Sequence, residues 1–167
     1  MSNSMPSRCW LAMTAGCAIL VAGVSAAISQ DQSAATPKDT IFARKVLMDA
    51  IGNNMDEIDG IVGAEKLNLA DGKEHADNIS VMLMAFPHLF PPSTNQWKPN
   101  VDRDPATDTF AAPEVWTNYA DFYKRSKDAS QIAYKASRAE KDDEFKALFQ
   151  QLRIACDSCH GNYMKTQ

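Results

Sequence analysis

The residues best placed to do chemistry form a short motif near the C-terminal end of the chain. Cys156, Cys159 and His160 follow the pattern C-x-x-C-H. This pattern is the attachment signature of a c-type haem: the two thiols form thioethers with the porphyrin vinyl groups, and the histidine binds the iron. Positions i, i+3 and i+4 of an α-helix share one face. We therefore expect a helix to carry the motif and one haem c to be covalently attached to each chain.

Three other interpretations of the motif stay open at this point. A thioredoxin-like dithiol normally accompanies a βαβ pattern, which the sequence lacks. A structural zinc ion needs about four ligands, and the only further histidines are the distant His75 and His88. The pattern could also stand by chance in an inert helix. Covalent haem attachment is the interpretation that the residue types and their spacing favour.

The first 27 residues are organised like an export signal. Arg8 is followed by an apolar stretch without charge, residues 10–28, and small residues suit a signal peptidase near its end. We expect residues 1–27 to be removed, with cleavage after Ala26 or Ala27, and residues 28–36 to form a loose leader. The alternatives are an uncleaved membrane anchor and, with less support from the sequence before it, a lipoprotein modified at Cys17. Cleavage implies a periplasmic protein whose mature chain does not insert into a membrane.

Composition narrows the class of protein further. The chain has 167 residues, of which 45% are hydrophobic and 23% charged, enough for about one compact domain. Its net charge of −4 and its lack of a run of Lys and Arg do not predict the positively charged surface that binds nucleic acid. No phosphate-binding loop, nucleophile elbow or pair of acids with catalytic spacing is present. We therefore expect neither nucleic-acid binding nor enzymatic activity.

Helical periodicity is present in most of the chain after residue 37, apart from one long loop. Apolar residues at three- and four-residue steps predict a first helix over 38–62, and a second begins near Asp71, with Pro87 kinking or ending it. A proline-rich loop over 90–112, with Trp97 as its hydrophobic anchor, precedes a third helix from Pro113 and a fourth from about 140. Four helices without a convincing strand pair predict an all-α, antiparallel four-helix bundle over 37–167, with haem c bound covalently.

With the motif in its last helix, the chain resembles the class II c-type cytochromes, the cytochrome c-prime family. The resemblance covers nearly all of residues 37–165. Besides the motif, it rests on four segments: Arg44-Lys45-Val46-Leu47-Met48, Gly52-Asn53-Asn54-Met55, Phe86-Pro87-His88-Leu89-Phe90-Pro91 and Ala112-Pro113-Glu114-Val115-Trp116. Ordinary class I cytochromes c carry the motif near the N-terminus instead. The resemblance implies the four-helix fold and a haem attached through Cys156 and Cys159, with His160 on the iron.

The resemblance also implies roles for two residues of the first helix. The family closes the distal side of the haem with a residue one turn after a basic residue, and Met48 occupies that place here, one turn after Arg44. This resembles the low-spin branch of the family, in which methionine is the sixth iron ligand. Arg44 would then pair with a haem propionate. From the pattern alone, a core role is the commoner one for a methionine such as Met48, and a solvated surface residue is the alternative for Arg44.

One position departs from the family's pattern. Many members have a basic residue four positions after the haem histidine, whereas this chain has Met164 there, followed by Lys165. Any cationic tuning of the proximal histidine from that position is therefore in doubt.

Three functions follow as hypotheses. The first is periplasmic transfer of one electron between iron(II) and iron(III), with His160 and Met48 as axial ligands and with redox proteins of unknown identity as partners. The second is a five-coordinate protein that binds nitric oxide or carbon monoxide, with Met48 only packed over the iron. The third is a helical interaction module with a redox-active dithiol. Either a monomer or a homodimer fits the sequence.

Overall fold

A computed structural model describes residues 35–99, 101 and 109–165 of the chain. The predicted signal segment, its cleavage site and the leader up to residue 34 lie outside the described residues. The helices have the following bounds: α1 Pro37–Gly63, α2 Leu69–Ala85, α3 Glu114–Thr117, α4 Tyr119–Ser137 and α5 Asp142–Tyr163. Four long helices, α1, α2, α4 and α5, confirm the predicted four-helix bundle.

The start of α1 is fixed by a capping box. The Thr36 hydroxyl accepts a hydrogen bond from the Asp39 backbone N–H at 3.2 Å, and the Thr36 N–H donates to the Asp39 carboxylate at 3.0 Å. Pro37 occupies the first helical position, where its missing N–H costs nothing. These caps set the register of the helix that carries Arg44 and Met48.

The long helices run antiparallel to their neighbours in the chain. Between α2 and α4, Ser126 Oγ donates to the Leu83 carbonyl at 2.7 Å and Ser130 Oγ donates to the Ser80 carbonyl at 2.8 Å. Residue numbers therefore rise along one helix as they fall along the other. Short connections of residues 64–68 and 138–141 turn the chain between α1 and α2 and between α4 and α5. The result is an up-down-up-down bundle.

Three details differ from the sequence-based expectation. The second helix begins at Leu69, because Asn68 rather than Asp71 caps it. The predicted third helix is divided into α3 and α4 at Asn118, whose backbone (φ −128°, ψ 43°) is not helical. In the loop, Trp97 is only half-buried, whereas Thr94 is completely buried and is the better anchor. As predicted, α2 ends just before Pro87, where the chain continues as a 3-10 turn, Phe86–Leu89.

The core is divided into two clusters along the bundle. The larger one joins α1, α2, α4 and α5 and includes Ile58, Ile79, Phe145 and Leu152, all of them fully buried. The smaller one is largely aromatic and lies at the other end: Phe86, Phe90, Val115, Phe122 and Tyr163. Met48 packs against both clusters, Cys156 packs against the larger one and Cys159 against the smaller one.

Other elements are few in the part of the chain that the structure describes. No β-strand forms there, and the only ladder contact is an isolated antiparallel bridge between Ala111 and Met164. No helix among these residues is long and apolar enough to cross a membrane.

Candidate haem-binding site

The C-x-x-C-H motif lies in the last two turns of α5, as the sequence predicts. Cys156 and Cys159 are half-buried, and His160 is exposed. Two backbone hydrogen bonds join the end of this helix to the segment before α3. The Ala112 N–H donates to the Tyr163 carbonyl at 2.9 Å, and the Lys165 N–H donates to the Phe110 carbonyl at 2.8 Å. The motif therefore sits on a helix end that is held in place.

A cavity of about 800 Å³ opens beside the motif, and all five residues singled out from the sequence line it. Cys156, Cys159 and His160 come from α5, and Arg44 and Met48 come from α1. Sites for small molecules and cofactors typically enclose about 300–1,000 Å³. The bundle thus brings residues more than a hundred positions apart to one cofactor-sized space.

Most of the remaining wall is apolar. Side chains from α1, α2, α3, α4 and the segment after α2 contribute: Ile51, Met55, Leu83, Phe86, Phe90, Val115, Phe122 and Ala129. Such a wall excludes water and suits the flat apolar face of a porphyrin.

The two thiols are not activated as nucleophiles. Burial, with a smaller effect of Cys159, raises the pKa of Cys156 to about 11. Burial also raises the pKa of Cys159, against an opposing effect of Arg125. Redox-active dithiols instead have a thiol whose pKa is lowered. Together with the missing βαβ unit, this weighs against the thioredoxin-like interpretation.

Arg44 is a buried residue, so the solvated alternative is wrong. Its guanidinium donates to Thr94 Oγ1 at 3.0 Å, to the Thr94 carbonyl at 3.4 Å and to the Leu89 carbonyl at 3.4 Å. It also lies 4.5 Å from the centre of the Phe90 ring. Burial lowers the pKa of Arg44 to about 10, which leaves it charged at neutral pH.

The third guanidinium nitrogen of Arg44, Nε, makes none of these contacts. This atom is buried and has no hydrogen-bond partner among the described residues. An unpaired buried N–H on a cation is costly, and a carboxylate is the acceptor that suits it best. An arginine that lines the cavity with one unused donor fits a haem propionate.

Met48 lies one helical turn after Arg44 and is half-buried. It packs against both the larger and the smaller core cluster, whereas Met55 belongs to the larger cluster alone. Its position at the junction brings it to the cavity. Its thioether is a soft donor of the kind that completes the coordination of haem iron in some cytochromes.

The donor set therefore fits a c-type haem. Two thiols and an imidazole lie on one helix, a thioether lies on another, and a buried guanidinium has a donor to spare. No group of three or more His, Cys, Asp or Glu side chains within residues 35–99, 101 and 109–165 could hold a metal ion. The zinc interpretation thus has no support in this part of the chain.

Sequence reasoning did not single out every polar residue of the cavity wall, and Arg125 is the example with contacts to the motif. Arg125 of α4 lines the cavity beside the motif. It bonds to Asp121 and to Ser158, the latter within the motif itself. Arg125 sits on the amphipathic helix among other charged residues, so only the packing of α4 on α5 distinguishes it.

Comparisons with known proteins agree with this geometry. The sequence pattern of the family described as Cytochrome C' matches residues 39–164. A cytochrome c-556 from Agrobacterium tumefaciens (strain II Chrys) is 28% identical over 123 residues, which are 72% of this chain and 92% of that protein.

Solved structures show the same fold. Cytochrome c′ from Thermochromatium tepidum superposes with a TM-score of 0.68 at 22% identity, over 78% of this chain and 98% of that one. The structure of oxidised R. palustris cytochrome c556 gives a TM-score of 0.65 at 24% identity, over 77% and 98%. The family match, the bundle and the C-x-x-C-H cavity lead to one conclusion: the chain belongs to the cytochrome c′ family of electron-carrying haem proteins, with haem c covalently attached near its C-terminus.

Proposed function

We propose that this protein is a periplasmic one-electron carrier in which His160 and Met48 are the two axial ligands of the iron. The observation that carries the proposal is the cavity lined by Met48 from α1 and by Cys156, Cys159 and His160 from α5. When bound, the haem supplies the iron(II)/iron(III) couple.

Each residue of the cavity has a separate task. Cys156 and Cys159 would fix the group to α5, and His160 would offer a ring nitrogen as the proximal ligand. Met48 offers its thioether sulfur from the opposite helix. Arg44 holds a propionate through its unused Nε donor, and the apolar wall keeps water away.

Ligation by Met48 would favour electron transfer over catalysis. Histidine and methionine together fill both axial positions and tend to raise the reduction potential. Met48 is packed on both sides by core residues, so it need not move when the charge of the site changes. With no open iron position, the site has no place for a substrate, and we propose that the protein is not an enzyme.

The alternative is a five-coordinate protein that binds nitric oxide or carbon monoxide. One observation favours it: Met48 contacts the two core clusters, as a methionine with a purely structural role also would. Met48 would then only cover the distal side of the haem. The two functions differ in whether the sulfur leaves room for a gas.

We propose that residues 1–27 direct the chain to the periplasm and are removed after Ala26 or Ala27. This agrees with covalent haem attachment, which in this family accompanies export. The partners would be redox proteins of unknown identity that exchange one electron with it. The carrier would work as a monomer or a homodimer.

Replacing Met48 tests the ligand assignment. In Met48→Leu, the side chain keeps its approximate volume and loses its sulfur, so we expect the ferrous protein to become high-spin and to bind carbon monoxide. The reduction potential should also fall, because an axial methionine raises it. Absorption spectra with and without the gas, and a potentiometric titration, measure these changes.

Met82→Leu is the matched control. Met82 is a partly buried methionine of α2 that packs on the larger core cluster. We expect its replacement to leave the spectrum unchanged. An unchanged spectrum in Met48→Leu as well would remove Met48 from the iron and favour gas binding.

A further inference from the structure

A chain of polar contacts joins α4 to the end of α5 beside the haem-binding motif. Arg125 Nε donates to Asp121 Oδ2 at 2.6 Å, and Arg125 Nη1 donates to Ser158 Oγ at 3.0 Å. The same Asp121 oxygen accepts a hydrogen bond from the Tyr163 hydroxyl at 2.6 Å. We call these four residues the α4–α5 network. It spans the turn that holds Cys159 and His160.

The network fixes the direction of the Arg125 guanidinium. Its Nε and one Nη are committed to partners on two different helices, so the planar group has little freedom to rotate. Arg125 also lines the cavity. A positive charge is thereby held at the wall from which the two cysteines and His160 project.

The neighbouring Lys124 shows that this arrangement is specific. Lys124 pairs with Asp128 at 2.6 Å along the outside of the same helix, and its side chain is 71% exposed. It does not line the cavity. Of these two adjacent cations on α4, Arg125 therefore lines the cavity beside the motif, whereas Lys124 points to solvent.

Resting on the proposed electron-transfer function, we propose that Arg125 is a positioning residue that braces the Ser158–His160 turn against α4 and raises the reduction potential. A fixed cation near the iron favours the redox state with less positive charge, which is the ferrous state. The negative charge of Asp121 lowers the reduction potential and so offsets part of the effect of Arg125. Both side chains are more than a third exposed, so screening by solvent and salt limits each effect.

Charge variants of the holoprotein test the electrostatic part. Arg125→Met removes the cation and should shift the iron equilibrium toward the ferric state by about threefold to tenfold, a fall of about 28–59 mV at 59 mV per tenfold. Asp121→Asn removes the anion and should raise the potential. Potentiometric titration at low and high salt measures both shifts, and we expect both to shrink in high salt.

The opposite signs separate this role from a merely structural one. Loosening of the site would move the potential in the same direction in both variants, and that outcome would overturn the proposal. The control is Lys124→Met, which removes the same charge one residue away and should leave the potential nearly unchanged. An equal fall in Lys124→Met would also contradict it, because net charge alone would then explain the effect.

A second pair of variants tests the bracing part and covers failure of Arg125→Met to fold. Ser158→Ala removes one contact and no charge, so amide hydrogen exchange over residues 156–163 should become faster while the reduction potential stays nearly unchanged. Arg125→Lys keeps the charge without the two-pronged geometry and should keep most of the potential. Unchanged exchange in Ser158→Ala would argue against bracing.

These outcomes are distinguishable from failure of the proposed function. If Met48→Leu leaves the spectrum unchanged, the ligand assignment fails, yet the potentials of the Arg125 and Asp121 variants can still be compared. If those potentials do not move in opposite directions, the role of Arg125 fails while the electron carrier stands.

Discussion

Arg44 shows how a single residue can serve the fold and the site together. Its two terminal nitrogens bind Thr94 and the Leu89 carbonyl, which holds the loop after α2 over the cavity. Its Nε is buried and has no hydrogen-bond partner among the described residues. A charge this deeply buried is stable only when its donors are used. The spare donor is therefore the strongest sign, at the residue scale, that an anionic group belongs here.

Tyr163 gives a pH-dependent prediction at the same scale. Burial, reinforced by the hydrogen bond to Asp121, raises the pKa of Tyr163 to about 12, compared with about 10 in an unfolded chain. The neutral phenol therefore stabilises the fold below pH 10, and this contribution is lost as the pH rises toward 12. We expect the stability advantage of the wild type over Tyr163→Phe to shrink by roughly 1 kcal/mol across that range.

Urea unfolding at pH 8 and near pH 11.5 measures this difference. Tyr134→Phe serves as the control, because Tyr134 lies on the outer side of α4 and is 53% exposed. Its effect on the free energy of unfolding should be the same at both pH values. A stability difference for Tyr163→Phe that is equally independent of pH would refute the coupling to Asp121.

At the scale of elements, the fit between α2 and α5 depends on one glycine. A Cβ at Gly72 would lie 2.7 Å from the Phe145 ring, which is completely buried. The rigid ring cannot yield as a flexible chain end would. Gly72 thus lets α5 approach α2 closely at the end of the bundle away from the cavity.

Gly72→Ala should therefore destabilise the protein although alanine favours helix. Alanine gains about 1 kcal/mol of helix propensity over glycine, but overpacking costs about 1–3 kcal/mol, and we expect a net loss of about 1 kcal/mol. In Gly60→Ala, an added Cβ meets nothing within 4 Å, so stability should rise by up to about 1 kcal/mol. Thermal unfolding of both variants measures the contrast; a more stable Gly72→Ala would show that Phe145 has room to shift.

Sequence patterns predicted the elements well where the signal is local. The start of the first helix near residue 38, the stop before Pro87 and the helix around Cys156 all depend on residues within one or two turns. The break at Asn118 was missed, because an asparagine inside an amphipathic pattern has no strong stop signal. Thr94 and Arg125 were missed for another reason. Each is defined by a partner at least 33 positions away, Arg44 and Ser158 respectively, and no local spacing records such contacts.

At the scale of the whole molecule, the core of the bundle consists of two clusters that meet at the cavity. The larger core cluster joins residues of four helices, and both it and the largely aromatic cluster contribute to the wall of the cavity. The same residues that form the core therefore also form the space for the haem. In this arrangement α1 and α5, which are far apart in the sequence, bring Met48 and His160 to the wall of one cavity, as the proposed ligand set requires.

The most direct test of the central claim is the visible absorption spectrum of the exported protein, oxidised and then reduced, with and without carbon monoxide. We expect a covalently bound haem c that is low-spin and six-coordinate in the ferrous state, with a spectrum that the gas does not change. A high-spin ferrous spectrum that shifts on addition of carbon monoxide would contradict ligation by Met48 and make gas binding the leading function.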